Sequence, residues 1–140
     1  VKQNDQLKRM ALWLATKRHQ PWVRGKNDCC TLFMEYHDYM TGESTLDELW
    51  GKYHDLRTAI RFAKQFPKVK EWFPAHGYQQ QRIALDGDIV MVKNNRFFPS
   101  SYIVCGGFAW GIMDNAKRMS RHELVVPDVE YSIWRRNYGT

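Results

Sequence analysis

No run of eighteen apolar residues occurs in the 140-residue chain, which excludes a membrane-spanning helix. Cysteine is scarce: three residues, an odd number, with Cys29 and Cys30 adjacent and able to pair only in a strained ring. A disulfide framework is therefore not expected, and a reducing compartment or a functional thiol is favoured. C-x-x-C and H-x-x-x-H spacings are both missing, so no zinc site and no other metal or cofactor is expected. Basic residues never gather into a block of five or six, and a nucleic-acid-binding stripe is not expected. The amino end, Val-Lys-Gln-Asn-Asp-Gln, has no signal-peptide core and predicts synthesis in the cytoplasm. Internal repeats, low-complexity tracts and linkers are lacking too, leaving one domain over residues 1–140.

What is present fits a globular domain. Apolar residues make up 44% of the chain, enough for a core at this length. Aromatic residues reach 14%, a content that fills a bulky core or serves surfaces that meet partners or sugars. Lys and Arg number 21 against 15 Asp and Glu, and the scattered excess of +6 describes a mildly basic solvated surface.

Residues 4–19 carry Leu7, Met10, Ala11 and Leu14 at helical spacing, and Pro21 ends the pattern. A loop over 21–28 leads to Asp28, an N-cap type, and to a helix predicted over 29–40 with Cys29, Leu32, Phe33, Tyr36 and Met40 on one side. Shorter helices are predicted over 45–51 and 55–66, the second capped by Asp55, with a turn holding Trp72 and Phe73 between Pro67 and Pro74. The period then changes. Segments 88–92, 101–105, 108–113, 123–126 and 131–134 read as strands, and Gly106-Gly107 reads as a hairpin turn. Helices followed by four to five strands predict an α+β domain with a small antiparallel sheet.

Chemistry concentrates in Trp22-Val23-Arg24-Gly25-Lys26-Asn27-Asp28-Cys29-Cys30. A cysteine in the first turn of a helix meets partial positive charge and unpaired amides, which favour thiolate over thiol. Thiolate is the nucleophile of covalent acyl transfer, and free amides beside it can hold an oxyanion. The competing reading is that both cysteines are small buried hydrophobes at a helix start.

Pro-Trp-Val-Arg-Gly-Lys-Asn-Asp-Cys resembles the nucleophile motif of the NlpC-type papain-like cysteine peptidase superfamily. Leu85-Asp86-Gly87-Asp88-Ile89-Val90 is similar to its second signature, a Gly-Asp that opens the first core strand about 58 residues later. The nearest likeness is to a branch found in phage and prophage tail modules, and it extends over roughly residues 7–126 with a helical insert at about 43–78. The resemblance implies a papain-like fold with N-terminal helices on the sheet. It places Cys29 as candidate nucleophile, Cys30 where peptidases usually have Ser, and Asp88 in a structural position.

The likeness stops at the next strand. Active members begin it with the catalytic histidine, whereas Ser100 or Ser101 stands there in this chain. Among the five histidines, His19 precedes the motif, His37 lies two turns along the predicted helix, His54 and His76 fall in the insert and its exit, and His122 precedes a late strand. His76, in Ala75-His76-Gly77, is the candidate for a relocated base. The resemblance thus implies a virion protein of tail or ejection machinery that contacts other virion subunits and has degenerate catalysis. The alternative is an active cysteine amidase or endopeptidase cutting peptidoglycan stem peptides.

Overall fold

Helical spacing in the first half gives way to alternating spacing after residue 86, and the structure has the same order of helices then strands, with the first strand already at Gln79. The structure, a computed structural model, describes residues 3–63, 68–93, 99–124 and 130–139. Helices α1 (Gln3–Lys17), α2 (Leu32–Thr41), α3 (Leu56–Ala63) and α4 (Val69–Ala75) come first, with a 3-10 turn at Thr45–Glu48. Strands β1 (Gln79–Gln81), β2 (Ile89–Lys93), β3 (Ser100–Cys105), β4 (Phe108–Gly111), β5 (Ser120–His122) and β6 (Glu130–Arg135) follow. They form one antiparallel sheet in the order β1-β6-β2-β3-β4-β5. The protein is therefore an α+β domain, with six strands among the described residues rather than four to five.

Strand alternation sorts side chains between two cores. Ile89, Met91, Ile103 and Trp134 join the helices in the main core, while Val90, Val104 and Ile133 build a smaller cluster on the opposite face. Helix α2 is the central rod, burying Leu32, Phe33, Met34, Tyr36, His37 and Met40. Burial of each large apolar side chain is worth roughly 1.5–3 kcal/mol, so this packing outweighs helix propensity in a ten-residue element. Stacking of Phe73 on Trp134, with centroids 5.0 Å apart, ties α4 to β6.

Several boundaries differ from the sequence reading for identifiable reasons. The regular helix begins at Leu32, not at residue 29, because β3 interrupts its first turn, as described below. The predicted turn between Pro67 and Pro74 is instead α4, which contains Pro74 near its end, where the missing N–H removes one bond and Trp72 and Phe73 anchor the rest. Strand β1 is three glutamines, without β-propensity, and exists through its pairing with β6. The strand expected over 123–126 lies earlier, at Ser120–His122, paired with β4, and part of the expected segment is outside the described residues. Helix α3 ends at Ala63, and residues 64–66 of its predicted span are likewise outside them. Gly106 and Gly107 adopt φ of 64° and 80° and turn β3 into β4, with Cys105 opposite Phe108.

Candidate functional site

The loop before α2 is organised around one carboxylate. Asp28 is 4% exposed, and its two oxygens accept four hydrogen bonds. Oδ1 accepts from the amides of Cys30 and Thr31, both at 2.9 Å. Oδ2 accepts from the Gly25 amide and the Tyr53 hydroxyl, both at 2.7 Å. Gly25 is required: its φ is +80°, and a Cβ there would lie 1.9 Å from the Tyr53 carbonyl oxygen. Asp28 therefore caps the cysteine turn, whereas the N-cap position of α2 itself falls at Thr31 rather than at Asp28. That same capping takes up the Cys30 and Thr31 amides, and the Leu32 amide goes to Asp28 O at 3.2 Å.

Strand β3 holds the other side of the turn. The Ser101 amide and hydroxyl both donate to Cys29 O, at 2.9 and 2.6 Å. The Ser101 oxygen then accepts from the Phe33 amide at 3.2 Å. A serine hydroxyl is thus inserted where Phe33 N–H would meet Cys29 O in a continuous helix, and this delays α2 to Leu32. Cys29 consequently lies in a turn just ahead of the helix rather than within its first turn. With the amides from Cys30 to Phe33 committed, that stretch offers no oxyanion hole.

Both thiols are buried, Cys29 at 5% and Cys30 at 3% exposure. The Cys30 thiol lies against Cys29 and holds its pKa below the ordinary cysteine value, with a further hydrogen bond from Ser100 acting the same way. Burial and the charges of Asp28 and Asp114 oppose the shift. Burial pushes the Cys30 thiol well up, and its sulfur also reaches Pro99 O at 3.4 Å. Cys29 is therefore a thiol with neutral donors. Neither a thiol held above its usual pKa nor a serine hydroxyl accepts a proton near neutrality.

The structure does not bring His76 to Cys29. His76 stacks on Trp72, with centroids 4.1 Å apart, and its Nδ1 donates to Trp72 O at 2.7 Å. His37 is fully buried between Tyr78 and Glu43, His54 faces Asp55, His122 meets Ser120, and His19 accepts from Arg18. Among the described residues, which include all five histidines, none hydrogen-bonds to Cys29. Asp88 is structural: 2% exposed, it receives Arg135 Nε and Nη2, each at 2.8 Å. The sequence reading missed Tyr53 and Arg135 as partners of the two aspartates, because no local pattern links residues so far apart. Ser100 was legible through its place after the Gly-Asp strand.

Fold and site together define a class: an α+β domain whose cysteine turn is capped by a buried aspartate and tied to the middle of an antiparallel sheet. Over residues 2–130 the chain matches the family described as a domain of unknown function (DUF6950), and it belongs to that family. No curated protein matches the chain, and no solved structure does.

Proposed function

We propose that this protein is a phage or prophage virion component, part of tail or ejection machinery, that has an NlpC-type papain-like fold with degenerate catalysis. The observation that carries the degenerate reading is that Ser100 and Ser101, either of which falls where the resemblance calls for the histidine base, hydrogen-bond the Cys29 sulfur and carbonyl respectively. A thiol without an imidazole lacks the general base that peptide cleavage needs. The phage setting rests on the resemblance of the Asp-Cys and Gly-Asp motifs. Docking to other virion subunits is supported by exposed aromatic and basic groups near the cysteine loop. Trp50 is 52% exposed beneath Lys26 Nζ, 4.7 Å from its ring centroid, and Arg24 covers Trp22 at 5.0 Å.

One observation favours the second reading, an active amidase or endopeptidase acting on peptidoglycan stem peptides: the Cys29 pKa is lowered, as a nucleophile requires. Mass spectrometry of particles purified from the genome that encodes the chain separates the two. The proposal expects the chain as a stoichiometric particle component, and particles carrying Cys29→Ala that remain infective. Absence from particles, or loss of infectivity and wall cleavage with Cys29→Ala, overturns it.

A further inference from the structure

A chain of four hydrogen-bonded side chains crosses the helical half of the molecule, away from Cys29. Glu43 Oε2 lies 2.6 Å from His37 Nε2, His37 Nδ1 lies 2.8 Å from the Tyr78 hydroxyl, and the Tyr138 hydroxyl lies 3.0 Å from that of Tyr78. His37 is fully buried, and Glu43 opens to solvent. The inner end reaches a cleft of about 290 Å³ between α1, α2, the turn before β2 and the segment after β6. Its apolar walls are Leu7, Met40 and Leu85 with the rings of Tyr36 and Tyr138, and Asp86 and Arg136 contribute charges of opposite sign. Asp88 and Arg135 also line it but are paired with each other.

The direction of the chain follows from its chemistry. A carboxylate only accepts, so His37 Nε2 carries the proton and Nδ1 accepts from Tyr78 while the imidazole is neutral. Tyr138 then donates inward to Tyr78. Protonation of His37 makes Nδ1 a donor to the Tyr78 oxygen and lets the Tyr78 hydroxyl donate to Tyr138; in that arrangement the Tyr138 hydroxyl donates towards Tyr36 and the cleft. The groups facing His37 are Glu43 from the end of α2, Tyr78 and His76 from the end of α4, and Arg136 from the end of β6.

We propose that this cleft binds a small zwitterion, an amino acid or a short unblocked peptide, and binds it more tightly as His37 takes up a proton. The ligand carboxylate meets Arg136 and the outward Tyr138 hydroxyl, its ammonium meets Asp86, and its side chain lies against Leu7, Met40 and Leu85. Arg136 gives one Nη to His76 O at 2.8 Å, and a guanidinium has further donors for a carboxylate. The size suits a dipeptide, at the lower end of small-molecule sites. The proposal depends on neither Cys29 nor a place in the virion.

Calorimetric titration of the whole protein with alanyl-leucine, N-acetyl-alanyl-leucine and alanyl-leucine amide, at about pH 7.5 and about pH 5.5, tests it. The free dipeptide should bind saturably at both and several-fold more tightly at the lower pH. Each blocked form should bind about tenfold or more weakly, having lost a charge-assisted contact. Tyr138→Phe should bind several-fold more weakly than the unaltered protein at the lower pH and lose the tightening there. Bound dipeptide should raise the His37 pKa read by NMR in the unaltered protein, as linkage demands. No saturable binding, equal binding of the three ligands, or an unchanged pH response in Tyr138→Phe overturns it.

Discussion

The cysteine turn and the histidine cluster divide between them the parts that a cysteine hydrolase keeps together. Around Cys29 stand a carboxylate cap, a second thiol and two serines, all committed to holding the turn. Around His37 stand Glu43, Tyr78, Trp72 and His76, a carboxylate and imidazole arrangement with no thiol. At helical rise the eight residues from Cys29 to His37 span about 12 Å, and α2 keeps the two apart. A cysteine turn can thus serve as a packing device. The Asp-Cys pair remains useful because the aspartate closes the loop and the cysteine carbonyl takes β3.

Asp28→Ala tests the packing half of that contrast with the largest expected effect. It leaves three amides and the Tyr53 hydroxyl without their acceptor, and urea unfolding should show a loss of about 3 kcal/mol or more. Next comes Gly25→Ala, whose added Cβ strikes backbone at positive φ, with an expected loss of about 2 kcal/mol or more in the same assay. Ser101→Ala removes the hydroxyl bridging Cys29 O and Phe33 N and should cost about 1–2 kcal/mol.

The histidine half responds to pH. Burial lowers the His37 pKa below 6.5, against an opposing bond from Glu43. The unfolded chain therefore binds the extra proton first as pH falls, so this contribution is fully present above 6.5 and is lost as pH drops towards the folded pKa. Chemical denaturation at a series of pH values should show stability declining there, with a shallower decline in His37→Gln. The smallest effect belongs to Cys30→Ala. Removing its donor should raise the Cys29 pKa, followed by thiolate absorbance.

Much of the fold was legible because hydrophobic periods are local: α1, β2, β3, β6 and the Gly106-Gly107 hairpin lie within a few residues of their expected places. The site was legible in part. Asp28 as the residue that closes the cysteine turn followed from its type and place, whereas the Ser101 hydroxyl inserted ahead of α2 depends on a contact 68 residues away. Gln79–Gln81 shows the same limit, since its pairing with the distant β6 makes it a strand.

The central claim is that Cys29 is a turn residue without a base, and amine release from purified peptidoglycan fragments tests it most directly. The intact protein and its Cys29→Ala variant, each checked for folding, are incubated near neutral pH and new amino groups are counted. The account predicts no release above background from either. Release by the intact protein that disappears in Cys29→Ala would contradict it.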